Sequence, residues 1–189
     1  MIIGVTGPLC AGTDTFGEIL RKEKGFIWFS YSDILREELK KRNVEITRKN
    51  LQDIGDELRK KEGLGVLSKI IIEKIEEDVD YVIGNIRNPG EVHVLREKFG
   101  ENFILVRIDA DVEIRFDRLS KRRREKDPKT WGEFRKVEDR DFGINEKNYG
   151  QQHAAVFALA DKVIKNNGSF EEFREDVEKL LSEIENNKV

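Results

Sequence analysis

Five short apolar runs recur along the chain, and stretches with helical spacing lie between them. The runs are "MIIGVTG" at Met1, "GFIWFS" at Gly25, "YVIG" at Tyr81, "NFILVRIDA" at Asn102 and "DKVIKN" at Asp161. Each is rich in β-branched or aromatic residues, stops at a turn-forming residue and has the length of a buried strand. Between them apolar residues return every three or four positions over Asp14–Lys24, Ser32–Arg42, Lys49–Glu62, Gly65–Ile75, Pro89–Phe99, Val112–Arg122 and Phe170–Ile184, which predicts helices. Ser32, Asp111 and Ser169 stand where caps belong. Strands alternating with helices predict a parallel sheet covered on both faces, with ligands at the carboxyl ends of the strands.

Two segments depart from the alternation. Thr47–Ile75 holds two successive helices with no strand between them. Lys121–Gln151 is polar and weakly periodic, which predicts an excursion away from the core.

The 189 residues suit one domain, and the composition (38% hydrophobic, 39% charged) excludes collagen-like and low-complexity classes. Net charge is only -3, so neither nucleic acid nor an anionic membrane is expected as a partner, and any anion site must be local. No apolar run approaches the ~20 residues of a membrane span. With one cysteine, two distant histidines and no signal-peptide pattern, the expectation is a soluble, cytoplasmic chain without disulfide or zinc. The sequence leaves monomer and homodimer open.

The chemistry starts after the first run, at Gly7-Pro8-Leu9-Cys10-Ala11-Gly12-Thr13-Asp14-Thr15. Glycines five apart between a strand and a helix frame a phosphate loop, in which backbone amides and the helix N-terminus face the anion. A P-loop has Lys and then Ser or Thr after its second glycine; this chain has Thr13 and Asp14. Cys10 has no histidine in a nucleophile signature and reads as a small loop residue.

With this loop the chain resembles the P-loop nucleoside monophosphate kinases. It is most similar to a branch whose loop reads "GKDT", which includes phage deoxynucleotide kinases, phosphomevalonate kinases and the kinase-like domain fused to some deoxycytidylate deaminases. Thr13 stands in place of that lysine. "FSYSDILREE" resembles the acceptor-nucleotide segment of adenylate kinases, which implies that Arg36 holds the acceptor phosphate and that Asp33 lies at the cleft mouth. "YVIGNIRNPGEVHVLR" resembles the strand and loop that carry an acceptor-clamping arginine, here Arg87, although the strand-end acid of the family is replaced by Gly84.

Further along, Arg118 and Arg122 in "DADVEIRFDRLSKRRREKD" resemble the arginines at the base of a kinase lid, and their i, i+4 spacing puts them on one face. Arg115, Lys121, Arg123, Arg124 and Lys126 add positive charge there. On the lid, Arg135, Lys136 and Arg140 are candidates to replace the missing lysine. Asn167 and Gly168, after the last apolar run, match the loop beside the donor base, though a Gly-Ser helix start explains them equally well. Arg48, Gln52 and Arg59 share a helical stripe. They read equally as acceptor contacts and as the wet face of a helix whose Leu51, Ile54 and Leu58 face the core.

The resemblance implies one three-layer α/β P-loop kinase-like domain over residues 1–189, with five parallel strands ordered 2-3-1-4-5, an acceptor lobe over about 31–75 and a lid over about 121–151. It implies ATP and Mg²⁺ as cofactors. Gly7, Cys10, Ala11, Gly12, Thr13, Asp14 and Thr15 would lie on the donor, with Asp14 and Asp33 on the metal side. Asp33, Arg36, Arg59 and Arg87 would lie on a small-molecule phosphate acceptor, and Arg87, Arg118 and Arg122 at the transfer. The implied activity moves the ATP γ-phosphoryl to a nucleoside or deoxynucleoside monophosphate. Two other readings stay open: a nucleotide-binding protein that has lost catalysis with its lysine and acid, and a kinase of a small phosphorylated metabolite of the dephospho-coenzyme A or phosphomevalonate type.

Overall fold

The computed structural model describes residues 1–122 and 127–186. Five strands, β1 (Ile2–Thr6), β2 (Ile27–Ser30), β3 (Tyr81–Gly84), β4 (Phe103–Asp109) and β5 (Lys162–Lys165), form one sheet in the order β2-β3-β1-β4-β5. Every neighbouring pair is parallel, with Ile2 opposite Tyr81 on one side and Phe103 on the other. Strand number, direction and order agree with the expectation.

Helices cover both faces because both are apolar. Ile2, Tyr81, Ile83, Phe103 and Leu105 point to one side. That side is packed by α2 (Tyr31–Lys41), α3 (Arg48–Glu62), α4 (Val66–Ile72), α5 (Pro89–Phe99) and Val156 of the short α8 (His153–Phe157). Ile3, Val5, Val82, Val106 and Ile108 point to the other side, under α1 (Thr13–Lys24) and α9 (Phe170–Asn186). The two-residue alternation of a strand thus feeds two cores, and β1 is buried along its whole length.

Local chemistry sets the helix limits. Asn88 caps α5 through a capping box with Glu91, and Pro89 occupies the first helical position. Ser169 caps α9 as expected: its Oγ accepts from Glu172 N (3.2 Å) while Glu172 Oε2 accepts from Ser169 N (2.7 Å). Asp111 precedes α6 (Val112–Arg122), where its carbonyl accepts from Arg115 N (3.0 Å) and its carboxylate pairs with Lys165 (3.0 Å). Ser32 is not a cap. The helix begins one residue earlier, Ser30 takes the N-cap position in extended conformation, and the Ser30 hydroxyl accepts from Asn85 Nδ2 (2.8 Å).

The polar segment after α6 also differs from expectation. It carries α7 (Trp131–Phe142), which turns inward, burying Phe134, Glu138 and Asp141. Charged residues spaced along a helix read as a wet face, and here two of them are buried against arginines from other elements.

A three-part wedge explains the glycine at the end of β3. A Cβ on Gly84 would lie 2.1 Å from the Trp28 indole, and one on Gly17 of α1 would lie 1.9 Å from the same ring. Trp28 of β2 thus fills the slot between α1 and β3, and the strand-end acid of the resembled kinases has no room. Gly84→Asp is expected to destabilise the fold by at least about 2 kcal/mol through overpacking and carboxylate burial. Urea unfolding checks this, and combining it with Trp28→Ala should recover part of the loss, because the two sites share one space.

Candidate active site

The loop between β1 and α1 is held from three sides. Asn166 Nδ2 donates to Ala11 O (2.8 Å), Arg115 Nη1 donates to Leu9 O (3.3 Å), and Ala11 N closes onto Pro8 O (3.1 Å). Gly12 has φ of 113° and Cys10 of 63°, and a Cβ on Gly7 would lie 2.3 Å from Ile108 O. No side chain caps α1, so its first amides face the cleft at the positive end of the helix. This cradle fits a chain of phosphates. Burial pushes the Cys10 thiol up, against the nearby charge of Arg122, which keeps it a neutral loop residue.

The loop opens into a cleft of about 1020 Å³ that runs from α1 and α6 to α2 and α3. Of the expected donor residues, Gly7, Cys10, Gly12, Thr13, Asp14, Thr15 and Gly168 line it. Ala11 and Asn167 do not: Ala11 is fully buried beneath the loop, and Asn167 Oδ1 accepts from Asp111 N (2.9 Å). The neighbouring Asn166 and Phe170 take their place in the lining, with Phe170 54% exposed. Neither stands out in the sequence, since the first Asn of Asn-Asn-Gly-Ser and a Phe opening a helix look like turn and core residues.

The two α6 arginines line the cleft in different states. Arg122 is held by Asp127 (Nε at 2.8 Å, Nη2 at 2.5 Å). Arg118 Nη2 donates to Asn166 Oδ1 (3.2 Å), while its Nη1 is buried with no partner among the described residues. Arg115 is structural, joining Ala110 O, Leu9 O and Glu138. Arg123, Arg124 and Lys126 lie outside the described residues. Arg135, Lys136 and Arg140 of α7 do not line the cleft; Arg135 pairs with Glu138 (3.1 Å) and Arg140 with Asp53 (2.7 Å) and Asp56 (3.0 Å).

On the acceptor side Asp33, Arg36, Arg48, Gln52, Arg59 and Arg87 all line the cleft. Asp33 and Arg36 form an exposed pair at 2.5 Å. Arg59 is almost wholly buried, with Nε (2.9 Å) and Nη2 (2.8 Å) on Glu91 Oε1, whose Oε2 accepts from Arg87 N (2.8 Å) and Asn88 N (3.0 Å). Its first task is thus to fix the loop that carries Arg87. Arg87 donates to Gln151 Oε1 (3.0 Å) and Asn85 Oδ1 (3.4 Å) and lies 3.6 Å from Asp141 Oδ1. Asp141 also accepts from Arg48 and from Gln52 Nε2 (2.8 Å). Among the described residues no group of three or more His, Cys, Asp or Glu side chains is arranged to hold a metal ion.

A family model described as an AAA domain matches residues 3–143. The UPF0200 protein of Thermococcus kodakarensis is 36% identical over 97% of this chain and 98% of its own length. The chain belongs to the UPF0200 family. A UPF0200/UPF0201 protein of Archaeoglobus fulgidus is 32% identical over 98% of this chain, and the chain spans 56% of that longer protein. Among solved structures, shikimate kinase from Aquifex aeolicus matches with a TM-score of 0.56 at 15% identity, covering 100% of this chain and 98% of that one. Shikimate kinase from Acinetobacter baumannii, in complex with shikimate, matches with a TM-score of 0.57 at 19% identity over 100% of this chain and 94% of that one. The fold of this UPF0200 chain is therefore that of a P-loop kinase. No helix among the described residues is long and apolar enough to cross a membrane.

Two buried acids on α7 of this UPF0200 protein set the electrostatics of the cleft wall. Glu138 pairs with Arg115 beneath the phosphate loop. Burial alone would raise the Asp141 carboxyl, but the charges of Arg48 and Arg87 outweigh it and hold the group at about 2. Beside it, burial drives the His153 imidazole down to about 3, with Asp141 opposing and Arg87 and Arg48 adding to the effect. His153 stacks on Phe157 at 5.4 Å, and neither ring nitrogen has a partner among the described residues.

Both folded values lie below the unfolded ones, so the unfolded chain binds the extra protons and acid destabilises the fold. The His153 contribution is lost as pH falls from 6.5 toward about 3, and the Asp141 contribution as pH falls from 3.8 through about 2. Between pH ~6 and pH ~4 the His153 contribution should lower stability by up to about 1.4 kcal/mol per pH unit, and the Asp141 contribution adds to that slope at lower pH. His153→Phe should flatten the upper part of that slope, as read from urea midpoints at a series of pH values. Glu138→Ala, which strands the Arg115 charge, should cost about 3–5 kcal/mol in the same measurement.

Proposed function

We propose that this protein is an ATP-dependent phosphotransferase that moves the γ-phosphoryl to a nucleoside or deoxynucleoside monophosphate. The observation that carries this reading is that an uncapped phosphate loop and a set of acceptor-side arginines from α2, α3 and the β3–α5 loop line one continuous cleft. Phosphoryl transfer asks for alignment of two ligands and neutralisation of moving charge, with little covalent chemistry from the protein.

In this reading the free amides of the loop and of the first turn of α1, at Gly12 to Thr15, hold the donor phosphates, and Phe170 and Gly168 lie against the donor base. Asp14 and Asp33 line the cleft and would hold Mg²⁺ with one or two carboxylates, as suits an ion carried mainly on phosphate oxygens and water. When bound, that ion neutralises charge on the β- and γ-oxygens. Arg118 is the residue suited to the role of the lysine absent at Thr13, because its Nη1 is desolvated and has no partner among the described residues. Arg122 starts from a pair with Asp127, and Arg87 holds the acceptor side.

Thr13 and the indole-filled space at Gly84 favour a second reading, a nucleotide-binding protein without turnover. One screen separates the two. Protein, Mg²⁺ and ATP are incubated with all ribo- and deoxynucleoside monophosphates, with dephospho-coenzyme A and phosphomevalonate in parallel, and products are identified by mass. The kinase reading expects one nucleoside diphosphate at turnover amounts and a loss of about 10²–10³-fold in kcat for Arg118→Ala. No product, with ATP still raising the melting temperature, leaves the binding protein.

A further inference from the structure

Asp141 takes no part in that scheme, yet its position is unusual for a lid residue. It is the one carboxylate, among the described residues, within ion-pair distance of Arg48 and also of Arg87. These two arginines come from separate elements and repel one another. Arg59 beside them is taken up by Glu91 and by Asp56 (3.5 Å).

We propose that Asp141, brought in by α7, is a positioning residue that holds the Arg48 and Arg87 guanidiniums together as one fork for the phosphate of the acceptor. The inference rests on the phosphotransferase reading for the identity of that phosphate and goes beyond it in naming what builds the site. Asp141 is absent from the cleft lining while Arg48, Gln52 and Arg87 all contribute to it, so the carboxylate sits behind the guanidiniums and leaves their front open. Both side chains stay partly exposed there, Arg48 at 23% and Arg87 at 19%; Arg48 Nε has no partner among the described residues, and the hydrogen bonds of Arg87 go to the neutral oxygens of Gln151 and Asn85 rather than to a second carboxylate. Two positive charges against one negative leave one for an incoming anion to neutralise, and planar guanidiniums suit the paired oxygens of a phosphate. Arg36, which the sequence pairs with Arg87 at this task, is instead drawn to Asp33 on the exposed face of α2. Because α7 also carries Glu138 into the phosphate-loop brace, docking of one helix assembles both halves of the cleft.

The test measures anion binding apart from turnover. The donor site is first filled with Mg²⁺ and a non-hydrolysable ATP analogue, and inorganic phosphate and AMP are then titrated by calorimetry into wild type, Asp141→Asn, Asp141→Glu and Arg48→Lys. Expected is a loss of at least about tenfold in affinity for both anions in Asp141→Asn and in Arg48→Lys, partial rescue in Asp141→Glu, and unchanged affinity for the donor analogue. If Asp141→Asn does not fold, Arg48→Lys, which leaves a cation beside Asp141, carries the test. Unchanged or tighter binding in Asp141→Asn overturns the proposal, since an acid that merely occupied the site would release it; so does a wild type that binds neither anion. Anion binding that depends on Asp141 in a protein that phosphorylates no acceptor keeps the fork and removes the kinase reading. Turnover with a KM for the acceptor indifferent to Asp141→Asn does the reverse.

Discussion

Two carboxylates three residues apart on one helix face are buried among arginines that come from three other parts of the chain. Glu138 meets Arg115, which braces the phosphate loop through Leu9 O, and Asp141 meets Arg48 and Arg87 on the acceptor wall. A buried charge is tolerated only when it is paired and hydrogen-bonded, so each acid holds its arginines in place and each arginine holds its acid. The shape of the cleft depends on this exchange. Without α7 the guanidiniums of Arg48 and Arg87 would lose the one carboxylate that, among the described residues, pairs with both, and the loop brace would end on Arg115 without Glu138.

The same principle extends around the acceptor wall. Arg59 and Glu91 are both almost fully buried, and Glu91 spends its second oxygen on the backbone amides of Arg87 and Asn88. The loop that presents Arg87 is therefore fixed by a side chain reaching it from α3, and an arginine that lines the cleft also serves as scaffold. On the donor wall the roles divide in a similar way, with Arg115 structural, Arg122 paired and Arg118 left with an unmatched donor. Neighbouring arginines of one helix thus differ in what already neutralises them.

The shikimate kinase likeness shows a P-loop kinase fold, while the phosphate loop of this chain lacks the usual lysine and β3 lacks the usual acid. The second absence has a packing cause. Trp28 occupies the space beside Gly84 and Gly17, so the indole and the two glycines are one unit. Restoring a carboxylate there means removing the ring that closes β2 onto α1.

Strand positions, most helix limits and the phosphate loop were legible along the chain because each is written locally: in two-residue alternation, in three-to-four-residue periodicity, or in glycines between a strand and a helix. Strand order followed from the ordered likeness of segments to a known family, and the residues lining the cleft were largely those the likeness implied. Ser32, Ala11, Asn167 and the inward turn of α7 were not legible in that way. Asp141 lies 93 residues from Arg48, and on its own helix it looks like any solvated acid. Which charges are buried is decided when distant elements meet, because an ion pair is stable in the interior only if both partners arrive together. The sequence by itself therefore determined the framework and the glycine-framed loop; the tertiary structure alone decided which arginines brace the fold and which keep an unmatched donor.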